Sequence, residues 1–198
     1  GHLMIRDLFK PRMSEPPLQP AGGEIYAHVF ENPRAGIPRN LVWNISVEFE
    51  PVPLEGQDWE CSFAVEWLTW PIRKWRDLAG LGIEDVLSPQ TVEPSLYLMA
   101  EHHPATLNDL QFLGLQGRMF EAEILASAEI RADNKRLTVP VSCVCSLRFG
   151  GVVVVRDNSE PKPVTVEQAG EAVSQFIELE GLRPPRLEEW RYVLEPDA

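Results

Sequence analysis

The chain has 198 residues, with 18 Lys and Arg against 30 Asp and Glu, for a net charge of −12. A hydrophobic share of 44% beside 24% charged residues belongs to a globular chain with a core and excludes wholesale disorder. The charge works against a phosphate backbone or an anionic membrane surface, so nucleic acid and membranes are disfavoured and a basic protein is the favoured partner.

Gly1-His2-Leu3 reads as a cloning scar ahead of Met4. Pro11, Pro16, Pro17 and Pro20 with Gly22-Gly23 describe an extended arm, which sets 1–23 apart from a single domain over 24–198. No apolar secretory segment follows Arg6, Asp7, Lys10 and Arg12, and the longest aliphatic run, 152–155, is too short to span a bilayer. A cytoplasmic location is therefore expected.

A short strand is predicted over 24–30, ended by Asn32-Pro33. In 41–50, Leu41, Trp43, Ile45, Val47 and Phe49 alternate with polar residues, and in 58–67 Trp59, Cys61, Phe63, Val65 and Trp67 repeat the pattern. Successive side chains of a strand point to opposite faces, so these segments form a hairpin with one dry face. Pro71, Ile72, Trp75 and Leu78 predict a helix stopped by Gly80, and 81–94 reads as loop. Further strands are expected over 96–102 and 110–115.

Around the turn Asp133-Asn134-Lys135 lie the two cleanest alternating runs of the chain. Phe120, Ala122, Ile124, Ala126, Ala128 and Ile130 share one parity, as do Leu137, Val139, Val141, Cys143, Cys145, Leu147 and Phe149. Gly150-Gly151 predicts a bulge before a buried strand end. Thr165 and Gln168 make a capping box for a helix ended by Gly181, and Leu187, Trp190 and Leu194 suggest a last helix over 187–194. The expected class is α+β: a twisted antiparallel sheet of long hairpin strands with helices packed on one face. Each half holds a strand pair followed by a helix, which admits a duplicated ββα unit.

Three sets of residues are candidates for function. Glu48, Glu60, Glu121, Glu123 and Glu129 all occupy the polar parity of their strands, and one sheet would display them as an acidic face for a basic partner. Trp70, beside Arg73, Lys74 and Arg76, fits neither a strand parity nor a helix face and is a candidate hot spot if exposed. Glu101, His102 and His103 form the alternative site of a small-molecule-binding or hydrolytic domain, although neighbours on a strand point oppositely. A third reading is a structural subunit of a homo-oligomer, joined through a sheet edge or Trp70.

Cys61, Cys143 and Cys145 give no disulfide framework, and no suitably spaced ligand completes a metal site. No nucleotide-binding, nucleophile-elbow or zinc-hydrolase motif occurs. The expectation is a non-enzymatic protein-binding module of the inhibitor, immunity or adaptor type, without cofactor or metal.

Overall fold

The computed structural model of the chain describes residues 18–54, 56–132, 134–155 and 165–197. Most of the proposed 1–23 arm lies outside them, and its last four residues already belong to the first strand.

The alternating runs become long strands. β1 (Pro20–Asn32), β2 (Ile37–Leu54) and β3 (Gln57–Leu68) form an antiparallel meander. After a long connection come β4 (Glu93–Leu98), β5 (Glu101–Gln116) and β6 (Met119–Ala132), again antiparallel. β7 (Lys135–Pro140) and β8 (Cys143–Val155) lie end to end along the remaining edge of β6. The Val141 N–H donates to the Ala126 carbonyl at 2.9 Å, which carries the ladder across the gap between them.

β8 decides the architecture. Its first half pairs with β6, while from Arg148 onward it pairs in parallel with β1. The neighbour order β6-β5-β4-β3-β2-β1-β8 therefore closes on itself, and these seven strands form a barrel. β10 (Arg191–Leu194) adds to the end of β8, and β9 (Arg186–Glu188) adds to β10.

The expected α+β class is thus corrected: the protein is one ten-stranded mixed sheet, 63% strand and 13% helical. Closure leaves no open apolar face for helices to cover, and with a single α-helix among the described residues the duplicated ββα unit falls too. The 71–79 segment is irregular, with one 3-10 turn at Trp75–Leu78. Its spacing of three is the 3-10 repeat, so Trp75 and Leu78 share a face without an α-helix. The 187–194 segment is the β9–β10 hairpin, turned by Glu189 at φ 55°. The capping box forms as predicted at the start of α1 (Val166–Ser174). Gln168 N–H donates to Thr165 Oγ1 at 3.1 Å, and Thr165 N–H donates to Gln168 Oε1 at 3.2 Å.

Inward residues fill the lumen. Trp43, Phe63, Phe112, Phe120 and Phe149 come from five strands, and Trp75 enters from the β3–β4 connection; all are fully buried. Ring centroids of Trp75 and Phe149 lie 4.6 Å apart, those of Trp43 and Phe149 5.6 Å, and those of Phe112 and Phe120 5.6 Å. A barrel of this size is just wide enough for side chains to fill, and here aromatic rings do so.

Candidate functional site

Closure redistributes the acidic residues. Glu48 and Glu60 are exposed on β2 and β3, whereas Glu121 and Glu123 lie on β6, three strands away in either direction around the ring. The single acidic face expected from strand parity is therefore divided between opposite walls. Glu129 is on β6 but sits toward β7, where its Oε2 lies 4.0 Å from Arg136 Nη1. The five predicted carboxylates thus fall into separate groups: Glu121 and Glu123 on β6, Glu48 and Glu60 on the β2–β3 hairpin, and Glu129 by itself toward β7.

Two other expectations are corrected by burial. Trp70 is 6% exposed, its ring set edge-on to Phe112 at 5.5 Å and its Nε1–H donating to the Gly82 carbonyl at 3.0 Å. It is a core residue, not a surface hot spot. Glu101, His102 and His103 do not converge: Glu101 and His102 are exposed, while His103 is buried and donates from Nε2 to the Leu98 carbonyl at 3.0 Å. The His102 ring instead leans on Tyr97 across the strand pair, centroids 5.1 Å apart.

The wall around Glu121 and Glu123 has its own chemistry. Leu113, Met119, Leu125 and Val144 are 58%, 39%, 40% and 54% exposed, all on the outer surface of β5, β6 and β8. Cross-strand register places Glu121 between Gly114 and Ser146, and Glu123 between Gln111 and Val144. Leu113 is exposed because the β5–β6 register shifts between Phe112 and Gly114, and such a bulge turns the extra side chain outward. Next to it Gly114 has no side chain, and the space a Cβ would enter is empty to 4 Å. The result is an open cleft of about 300 Å³ walled by Leu113, Gln116, Met119, Glu121 and Ser146.

Part of this wall was legible in the sequence. Leu125 and Val144 are apolar residues on the polar parity of otherwise clean strands, a mismatch that burial cannot explain. Leu113 carried no such signal, because a bulge breaks the parity from which exposure is read.

β1 carries a second outer feature, an aromatic ladder. Tyr26 meets His28 at 5.8 Å, His28 stacks on Phe30 at 5.2 Å, and Phe30 stacks on Trp67 at 5.7 Å. Trp67 points outward, against its predicted parity, because a bulge puts it at φ 64°, a strained conformation for a bulky residue. Asn44 holds the arrangement: its Oδ1 accepts from Trp67 N–H at 3.1 Å and its Nδ2 reaches His28 Nε2 at 3.1 Å.

Burial pushes the His28 pKa down to about 4. The unfolded chain protonates this imidazole near the ordinary value of about 6.5, so between those values the unfolded state holds the extra proton. The His28 contribution to stability is complete above that ordinary value and is lost as pH falls toward 4. Urea unfolding of wild type should therefore show a loss from pH 7 to pH 4 that is larger than in His28→Gln, by roughly 3 kcal/mol. Equal losses would place the acid sensitivity elsewhere.

Other titratable groups bear on function less directly. Glu66 and Glu93 lie directly opposite each other on β3 and β4, and the Glu66 carboxyl is pushed up by burial and then by Glu93, against the pull of His102. Burial, with Glu48 adding to it, pushes the Cys61 thiol up to about 12. Among the described residues no three His, Cys, Asp or Glu side chains are placed to hold a metal ion. No helix among them is long and apolar enough to cross a membrane.

No protein-family model, curated protein or solved structure matches the chain.

Proposed function

We propose that the protein is a non-enzymatic docking module whose partner lays a basic, amphipathic segment on the outer face of β5, β6 and β8. One observation carries the reading: exposed Leu113 and Met119 wall an open cleft together with Glu121, and exposed Val144 and Leu125 lie beside Glu123 further along the same outer wall. Exposed apolar groups gathered in one patch mark interaction surfaces more than solvation does. The interleaved carboxylates select a cationic partner and speed its approach. The free thiols of Cys61, Cys143 and Cys145 suit a reducing, cytoplasmic setting for such a module.

Gly114 offers the test. A Cβ there meets no atom within 4 Å and its φ is not positive, so Gly114→Val puts a branched side chain into the cleft without straining the strand. A photo-crosslinking residue at Leu125, on the same outer wall as the cleft, would capture the partner from a lysate of the native cells. Gly114→Val is expected to abolish that crosslink while stability holds or rises by about 0.5–1 kcal/mol. An undiminished crosslink to the same basic protein would remove the cleft from the binding site.

A further inference from the structure

Four arginines from distant parts of the chain gather at one rim of the barrel. Arg118 stands in the β5–β6 turn, Arg148 on the outer face of β8, and Arg183 and Arg186 in the segment leading into and starting β9. Backbone contacts bring these pieces together. The Phe149 N–H donates to the Arg118 carbonyl at 2.7 Å, and Arg118 Nε–H donates back to the Phe149 carbonyl at 3.0 Å. The Arg183 N–H donates to the Glu195 carbonyl at 2.7 Å. Gly151, at φ 101°, lets this strand end lie directly on β8, since a Cβ there would collide with the Leu194 carbonyl.

Between Arg183, Arg186, Val193 and Glu195 lies a cleft of about 170 Å³. Arg186 is already satisfied there, with Nη2 at 3.1 Å from Glu188 and 3.0 Å from Glu195. Arg118, Arg148 and Arg183 make no ion pair among the described residues, although Glu24 lies opposite Arg148 in the β1–β8 register. Four guanidiniums against three carboxylates, Glu24, Glu188 and Glu195, leave a local surplus of one positive charge on a chain whose net charge is −12. The crowding is felt: the Arg118 pKa is pushed down by burial, then by Arg148 and Arg183, against the pull of Glu195 and Glu24.

We propose that this rim binds a phosphate-type dianion, inorganic phosphate or a phosphate monoester, seated in the Arg183–Arg186 cleft within the field of Arg148 and Arg118. Phosphate oxygens match the forked donors of guanidinium, and their negative charge is drawn to the local positive surplus. A long polyanion fits poorly, because Glu24, Glu188 and Glu195 flank the cleft and the rest of the surface repels it. The site is separate from the docking cleft and does not depend on it.

Calorimetric titration with inorganic phosphate, and separately with glycerol phosphate, at an ionic strength held constant with chloride tests the assignment. Wild type is expected to bind at least one of the two probes saturably, at one site, in the millimolar range or tighter. Arg183→Ala should weaken that binding about tenfold, the worth of one charge-assisted hydrogen bond, and Arg148→Gln should weaken it by a smaller factor through the loss of its field. Binding of phosphate alone identifies the bare anion as sufficient, and binding of the ester alone identifies a phosphate monoester; either supports the site. No saturable binding of either probe, or undiminished binding in both variants, overturns it. Should a variant fail to fold, phenylglyoxal labelling of wild type decides: phosphate slows modification of Arg183 and Arg148 if the site is real and leaves it unchanged if not.

Discussion

Phe149→Ala should cost about 3–5 kcal/mol of stability, a large share of what a protein of this size has. The ring is fully buried at the middle of the lumen, 4.6 Å from Trp75, 5.6 Å from Trp43 and 6.5 Å from Phe120. Its removal leaves a hole between rings whose backbones are tied into a closed ladder, so neighbours have little freedom to collapse into it. β8 is also the strand that joins β6 to β1, so loosening it weakens the closure itself. Urea unfolding followed by tryptophan fluorescence reads both effects: a lower midpoint, and a red shift as water reaches Trp43 and Trp75. Trp190→Ala, at an exposed hairpin tip, should move the midpoint by less than about 0.5 kcal/mol. A Phe149→Ala loss near that of Trp190→Ala would mean the lumen is not packed through this ring.

Reversing Glu121 and Glu123 together to Lys should abolish partner capture at the β5–β6–β8 wall, a loss well beyond tenfold because two attractive charges become repulsive. Neither carboxylate is in an ion pair among the described residues, so the reversal breaks no bridge, and the unfolding midpoint should stay within about 0.5 kcal/mol of wild type. The informative comparison is Glu48→Lys with Glu60→Lys, an equal change of net charge on the opposite wall. Crosslinking from Leu125 should survive it and should weaken with salt in wild type. If both double variants lose the partner alike, net charge rather than this wall governs binding. If both keep it, the acidic residues play no part.

Expectation and structure diverged where a local pattern has more than one tertiary solution. Apolar parity at 120–130 and 137–149 reads directly as burial, since alternation is a property of the strand itself. Trp75 and Leu78, three apart, fit an α-helix, a 3-10 turn or a loop gripping the core, and the lumen selected the 3-10 turn. Leu187, Trp190 and Leu194 fit a helix equally well, but the ladder of β10 with Val152–Val155 of β8 selected the strand. Trp67 ended on an unexpected face and the outward turn of Leu113 had no sequence signal, because bulges placed both, and a bulge is set by the partner strand's register.

By itself the sequence determined the dry and wet sides of the long strands, the capping box at Thr165 and Gln168, the bend at Gly150-Gly151 and the negative charge. These are local or additive properties, which need no partner to be defined. The tertiary structure alone decided that the sheet closes, that Glu48 and Glu60 part from Glu121 and Glu123, that Trp70 is core, and that four arginines meet at one rim. Each depends on which strand pairs with which, through the parallel pairing of β1 with β8 and contacts more than a hundred residues apart. Such pairings are chosen by the packing of the whole lumen, not by any segment's own periodicity.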